Sequence, residues 1–171
     1  MILDKLGHLS SPETMPNAQD FERDRRFAMA VLATAEVGEL EAAWAAWPEP
    51  PAVEDLRRPG CGLAMVRGRI GGDGAPFNLG EATVTRAAVR LPSGHIGHAY
   101  VLGRVARKAW LAAVFDALWQ DIATRPRVER DVLAPARARA AAAAGRAAAE
   151  AAATRVAFFT VTRGDNQDSA S

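Results

Sequence analysis

Apolar side chains recur with helical spacing in two parts of the chain. The clearer pattern has positions at i, i+3, i+4, i+7, i+8 and i+11: Leu111, Val114, Phe115, Leu118, Trp119 and Ile122. This spacing predicts an amphipathic helix with one buried face and with Asp116 and Gln120 outside that face. Nearer the start, a helix is predicted over residues 20–33. A second helix follows Thr34 as its N-cap and ends at Pro48, because proline cannot continue the hydrogen-bond ladder.

Shorter segments rich in valine, threonine and isoleucine predict strands instead of helices. The first two predicted strands are residues 63–70 and 81–91. The third, residues 96–102, follows a tight turn that contains Pro92 and Gly94, so the second and third strands predict an antiparallel hairpin. A fourth strand is predicted over residues 156–162.

The order of these elements predicts an α+β fold. An alanine-rich stretch over residues 127–153 predicts a long helix, because alanine has the highest helix propensity. Since helices and strands do not alternate as in parallel βαβ units, we predict a mainly antiparallel sheet of about four strands with packed helices. We expect a flexible arm at 1–17, a single domain at 18–166 and a disordered tail at 167–171.

The composition argues against several classes of protein. The formal net charge of +1 disfavours a domain that binds nucleic acid through bulk positive charge, and the strands lack the aromatic motifs of an RNA-binding module. Cys61 is the only cysteine, so we expect neither an intramolecular disulfide nor a cysteine-rich metal site. Because no signal-peptide pattern and no long uncharged apolar run occurs, we expect a cytoplasmic protein.

A glycine-rich loop joins the first two predicted strands. Its residues Gly71, Gly72, Asp73 and Gly74 could cradle a phosphate with backbone N–H groups. The loop lacks the Lys-Ser/Thr ending of a P-loop and the spacing of a dinucleotide-binding turn. A loop that needs glycine only for its backbone angles is the alternative.

Several arginines lie on or beside the predicted strands, at Arg67, Arg69, Arg86, Arg90 and Arg104. A charged side chain in a sheet must face solvent, form an ion pair or meet a partner. A solvated face paired with Glu81 and Asp73, a protein–protein interface and contact with an anionic substrate all remain open. His95 and His98 are predicted on opposite faces of one strand, which argues against a shared metal. We predict no catalytic residue, metal or cofactor.

Two long motifs follow one another along the chain. The first comprises residues 69–74 (RIGGDG), 80–83 (GEAT), 85–91 (TRAAVRL) and 98–104 (HAYVLGR), and the second comprises residues 155–160 (RVAFFT) and 163–166 (RGDN). With these motifs the chain resembles the PhnG family of the bacterial carbon–phosphorus lyase complex, and the resemblance covers roughly residues 25–166. Val105 stands where the family usually has an acidic residue.

The resemblance implies a hetero-oligomeric assembly with PhnH, PhnI and PhnJ, with PhnL and PhnK as associated ATP-binding proteins. With PhnH, PhnI and PhnL, such a subunit supports conversion of MgATP and an alkylphosphonate to ribose 1-alkylphosphonate 5-triphosphate and adenine. The subunit is then required but non-catalytic. Its expected motif and interface residues are Arg67, Arg69, Gly71, Gly72, Gly74, Asn78, Glu81, Thr85, Arg86, Arg90, Tyr100, Arg104, Phe158, Phe159 and Arg163.

Two further expectations follow. The apolar stripe of residues 111–122 and the alanine-rich helix are expected to bury against partner subunits. The alternative function is a stand-alone anion- or nucleotide-binding protein, in which the loop of residues 71–74 and the strand arginines surround a triphosphate.

Overall fold

The computed structural model describes residues 17–69 and 74–154. Its contacts divide the chain into two compact units, residues 1–137 and 138–171. The elements in chain order are α1 (Ala18–Thr34), α2 (Val37–Ala45), β1 (Glu54–Arg69), β2 (Pro76–Arg90), β3 (Ile96–Leu102), α3 (Ala106–Gln120), α4 (Arg125–Val128), a π-helical turn (Glu129–Leu133) and α5 (Ala134–Ala153).

The sheet is antiparallel throughout, with strand order β1-β2-β3. This confirms the α+β class, although the described residues contain three strands instead of four, and the strand predicted at 156–162 lies outside them. β3 has the predicted bounds, whereas β1 begins nine residues before the prediction and β2 begins five residues before it. Pro59 and neighbouring glycines disfavour a strand locally, but pairing with β2 overrides that preference.

The helix α3 is the centre of the hydrophobic core. Leu111, Val114, Phe115 and Leu118 are buried among the sheet, α1 and α2 of the same chain. The expectation that this stripe meets a partner subunit is therefore wrong for these residues, because the chain's own elements already cover them. Ile122 lies beyond the end of α3 and is 80% exposed.

The tryptophans of the first unit pack in or beside this core. The Trp44 and Trp47 rings lie 6.2 and 6.0 Å from the Phe115 ring, and Trp44 also meets Trp110 edge-on at 5.7 Å. The fourth, Trp119, is almost fully buried on α3. The tryptophans therefore act as anchors of the core.

A buried carboxylate in α3 corrects a second expectation. Asp116 was expected outside the buried face, but its side chain is 1% exposed. It accepts hydrogen bonds from Arg25 Nε at 3.0 Å, from Arg25 Nη2 at 2.7 Å and from the His98 backbone N–H at 2.8 Å. The hydrogen bond to Asp116 raises the pKa of Arg25, against the opposing effect of burial. This pair joins α1, β3 and α3.

The helix ends differ in one place from the prediction. Thr34 is the last residue of α1 and not the N-cap of α2. The N-cap is Glu36, which forms a reciprocal capping box with Glu39 in the first turn of α2. The long alanine-rich helix is confirmed, since residues 125–153 are helical throughout with one π-helical turn. In the part of the chain that the structure describes, no helix combines the length and the hydropathy that crossing a bilayer requires.

Candidate interaction surface

The hairpin of β1 and β2 extends well past β3. β3 pairs only with residues 84–90 of β2, whereas β1 continues to pair with β2 as far as Pro76. Residues 63–69 and 76–83 therefore form a two-stranded segment, which we call the hairpin ribbon. A two-stranded hairpin on its own is at best marginally stable in water. The ribbon is thus a segment whose stability depends on what lies against it.

A β-bulge sets which side chains share a face of the ribbon. Val66 lies opposite Gly80, but the next residue, Arg67, lies opposite Asn78, so Leu79 is an extra residue on β2. A bulge of this kind re-aims side chains and increases the local twist. Beyond it, the residues of β1 still alternate between faces.

One face of the ribbon is apolar. Phe77 lies opposite Gly68, and a Cβ atom built on Gly68 would be 3.7 Å from the Phe77 ring and 3.9 Å from Leu79 Cβ. Phe77 and Leu79 therefore lie over Gly68, on the face to which the alternation also assigns Val66. We call Val66, Phe77 and Leu79 the apolar face, and they are 40%, 39% and 66% exposed.

The opposite face of the ribbon tip is basic. Arg67 and Arg69 are exposed, and their cross-strand neighbours are Asn78 and Pro76. Neither arginine forms an ion pair or a hydrogen bond with another residue of the described ranges. We call these two residues the basic face. Strand alternation continues this face along β1 through Leu63 and Met65, each 59% exposed.

Arg86 lies across the open side of the sheet. Its guanidinium carbon is 5.7 Å from the centre of the Tyr100 ring, and its Nη2 donates to the Leu63 carbonyl at 3.0 Å. A Cβ atom on Gly62 would be 3.7 Å from that Nη2, so a glycine there leaves space for the arginine to cross β1. Tyr100 is 61% exposed beside Leu102, which is 73% exposed.

Arg90 forms an ion pair at 3.3 Å with Glu54 and not with Glu81, and Asp73 lies outside the described residues. The reason is the register, which places Glu54 directly opposite Arg90, whereas Glu81 lies opposite Met65. The nearest carboxylate in sequence is thus not the nearest across the strands.

Thr85 is inside the fold. Its hydroxyl donates to the Gly103 carbonyl at 2.6 Å and accepts from the Val105 N–H at 3.1 Å. Gly103 has a φ of 87°, so this hydroxyl holds a tight turn between β3 and α3. Arg104, which follows the turn, is exposed. Thr85 therefore stabilises the turn from inside the fold, whereas Arg104 is accessible to a partner.

Other predicted site residues are separated or fall outside the described residues. Gly74 is half-buried in the loop before β2. Outside the described ranges lie Gly71, Gly72, Phe158, Phe159 and Arg163. His95 precedes β3 and its Nδ1 lies 3.0 Å from Ser93 Oγ, so His95 and His98 do not share a strand as expected. Over the described ranges, no group of three or more histidine, cysteine or acidic residues could hold a metal.

The sequence reasoning missed several exposed apolar residues of this surface. Leu63, Met65, Phe77, Leu79 and Leu102 were not among the expected site residues. Phe77 lay in the loop expected between the first two strands, and Leu79 lay between that loop and the second predicted strand. The available signal was their alternation with Asn78 and Gly80, which is typical of a strand.

Two comparisons with known proteins agree with the earlier resemblance. The family model described as "Phosphonate metabolism protein PhnG" matches residues 23–164. The chain is also 52% identical, over 142 residues, to the Alpha-D-ribose 1-methylphosphonate 5-triphosphate synthase subunit PhnG of Rhizobium meliloti (strain 1021). That alignment covers 83% of this chain and 90% of the relative. Both matches include the whole hairpin ribbon.

Proposed function

Because the chain belongs to the PhnG family of phosphonate metabolism proteins, we propose that it is a required, non-catalytic subunit of a ribose 1-methylphosphonate 5-triphosphate synthase. In this role it assembles with PhnH, PhnI and PhnJ, with PhnL and PhnK as associated ATP-binding proteins. The assembly converts MgATP and an alkylphosphonate to ribose 1-alkylphosphonate 5-triphosphate and adenine. The chain's own contribution is an interaction surface.

The observation that carries this proposal is the exposed apolar surface of the hairpin ribbon and the adjoining edge of β3. Leu79, Tyr100 and Leu102 are each more than half exposed on the face that Val66 shares, and Leu63 and Met65 are each 59% exposed on the opposite face. Exposed apolar residues that lie singly are ordinary, but a contiguous group marks an interaction site. Interface cores are enriched in aromatic residues, methionine and arginine, which this surface combines.

The energetics favour a bound ribbon. Burying a leucine or methionine side chain fully contributes about 1.5–3 kcal/mol, so side chains that are already partly covered contribute about 1 kcal/mol each. The three that lie on the ribbon, Leu63, Met65 and Leu79, supply about 3 kcal/mol towards ordering a ribbon that is marginal by itself. The ribbon and its partner therefore stabilise each other.

Co-expression of the tagged chain with the PhnH, PhnI and PhnJ of its own operon tests the proposal. We expect the three proteins to co-purify with the chain in fixed stoichiometry. The double variant Met65→Ser/Leu79→Ser is expected to lose most of this recovery. The matched control Phe27→Ser/Ile122→Ser replaces side chains of similar exposure, 64% and 80%, on helices or beyond them. This control is expected to retain recovery.

A functional readout complements the pull-down. Adenine release from MgATP and methylphosphonate, in the presence of PhnL, should require the chain and fall with the ribbon variant. A chain that stays alone with all three partners present contradicts the subunit role. If that chain instead binds MgATP by calorimetry, the alternative function, a stand-alone nucleotide binder, replaces it.

A further inference from the structure

The two faces of the hairpin ribbon differ in chemistry, and both lack a cover within the described residues. We infer that one protein partner encloses the ribbon, with an apolar surface against Val66, Phe77 and Leu79 and with carboxylates against Arg67 and Arg69. This inference rests on the proposed function, because it requires that the chain is a subunit. It adds which residues make the contact and what chemistry the partner presents.

The bulge makes the separation of the two faces possible. Without the extra residue, strand alternation from Gly80 would place the Leu79 side chain on the same face of the ribbon as Arg67. The bulge instead directs Leu79 over Gly68 beside Phe77. A β-bulge can redirect a side chain to the other face of a strand in this way. At the ribbon tip, Phe77 and Leu79 thus lie on one face and the guanidinium groups lie on the other, which Leu63 and Met65 continue further along β1.

Among the described residues, the basic face lacks the carboxylates with which other arginines of this chain form ion pairs. Ion pairs within the chain occupy Arg23, Arg25, Arg90, Arg107, Arg127, Arg130 and Arg137. In contrast, Arg67 and Arg69 are neighbours of an amide and a proline, and Glu81 is displaced to the position opposite Met65. Guanidinium groups bind carboxylates through two parallel hydrogen bonds, which gives strong and directional contacts. Charge complementarity therefore favours an acidic partner surface here.

A second copy of the chain fits this surface poorly. β1 is an edge strand, and it carries Arg57 and Arg58 near one end and Arg67 and Arg69 near the other. A symmetric contact between two ribbon tips would place Arg67 and Arg69 of both copies together, and like charges in contact are destabilising. The charge pattern therefore selects a different chain, and one that is acidic where it meets the ribbon tip.

Charge variants in the co-expressed complex test the inference. Arg67→Glu/Arg69→Glu should reduce partner recovery about tenfold or more, because it places like charges in contact. Arg67→Lys/Arg69→Lys should retain recovery at about 0.05 M NaCl and lose it faster than the wild type as salt rises towards about 0.5 M. The matched control Arg57→Glu/Arg58→Glu makes the same change in charge on the same strand, away from the tip, and should retain recovery.

The outcomes separate the inference from the proposed function. If the wild-type chain recovers no partner, the subunit role itself fails. If the wild type recovers its partners and Arg67→Glu/Arg69→Glu does so equally well, only the inference is overturned. Equal losses of partner recovery in Arg67→Glu/Arg69→Glu and in the control would also overturn the inference, since they would indicate only long-range electrostatic attraction by the net charge of the chain. Binding of MgATP or inorganic phosphate to the isolated chain, abolished by the tip variant, would assign these arginines to an anion instead.

Discussion

Removing the Asp116 carboxylate should destabilise the first unit of the chain strongly. The carboxylate is 1% exposed and accepts three hydrogen bonds, two from Arg25 and one from the His98 backbone. Arg25 also donates to the Ile96 carbonyl at 3.2 Å, so the guanidinium is held on the edge of β3. In Asp116→Ala, this guanidinium and the His98 N–H lose their acceptor inside the fold.

The size of the effect follows from burial. Breaking a buried ion pair by removing one partner costs about 3–5 kcal/mol. Because the Arg25 side chain is 25% exposed and its guanidinium is partly hydrated, we expect a loss in the free energy of unfolding at the lower end of this range, about 3 kcal/mol. In a domain of this size each kcal/mol lowers the unfolding midpoint by about 2–4 °C, which gives a decrease of about 6–12 °C.

Urea and thermal unfolding of the purified chain, followed by circular dichroism, would measure this loss. The matched control is Asp131→Ala, which breaks the surface ion pairs with Arg130 and Arg127 and should change the midpoint little. The apolar double variant Arg25→Met/Asp116→Leu should recover most of the stability, because no unpaired charge remains.

The pH dependence provides a further check. The folded state raises the pKa of Arg25, so the arginine's contribution is complete below its ordinary value and is lost only as the pH rises through the higher folded value. Arg25 therefore predicts that the difference in the free energy of unfolding between the wild type and Asp116→Ala stays constant from about pH 6 to about pH 9. A loss no larger than that of Asp131→Ala would refute the reasoning.

Three more substitutions test the packing and the turn beneath the surface. Gly97→Ala should prevent stable folding, because its Cβ would overlap the Ala113 carbonyl oxygen, whereas Gly80→Ala meets nothing within 4 Å and should leave the melting midpoint near that of the wild type. Thr85→Val should lower the free energy of unfolding in urea by about 1–3 kcal/mol, because the Gly103 carbonyl and the Val105 N–H lose their hydrogen-bond partner. Thr85→Ser keeps the hydroxyl and should retain most of that free energy. Val105→Asp should raise stability by about 1 kcal/mol, because the N-cap of α3 lacks a side-chain acceptor, and a lower midpoint would contradict this.

The parts of the fold that depend on local chemistry were predictable from the sequence. β3 has the predicted bounds because Pro92 and Gly94 define the turn before it, and Gly94 adopts a φ of 86°. The turn is closed by two backbone hydrogen bonds, between Leu91 N–H and the His95 carbonyl and between Gly94 N–H and the Leu91 carbonyl. α1 agrees within two residues because Asn17 caps it and apolar residues follow at helical spacing.

The hairpin ribbon was only half predictable. Pro59, Gly60 and Pro76 lower strand propensity. The first two are tolerated because β1 is an edge strand with bulges, and Pro76 is tolerated because it is the first residue of β2. Their strand conformation depends on pairing across the hairpin, which propensity does not include. The motif arginines were therefore found by residue type, whereas the apolar residues between them were found only from the register.

The buried ion pair was not predictable from the helical pattern. A polar residue outside an apolar stripe is expected to face solvent, but α3 is enclosed by the sheet and by two helices, so even its polar side is buried. The partner of Asp116 is Arg25, which lies 91 residues earlier in the chain. Only the tertiary packing brings the two together.

Hydrogen–deuterium exchange of the chain, alone and in the co-expressed complex, tests the central claim most directly. The account predicts that amides of residues 63–69 and 76–83 exchange quickly in the isolated chain and become protected in the complex. Residues 84–90 of β2, which β3 already pairs, should change little and serve as the internal control. Protection confined to other parts of the chain, with the ribbon exchanging as in the isolated protein, would contradict the account.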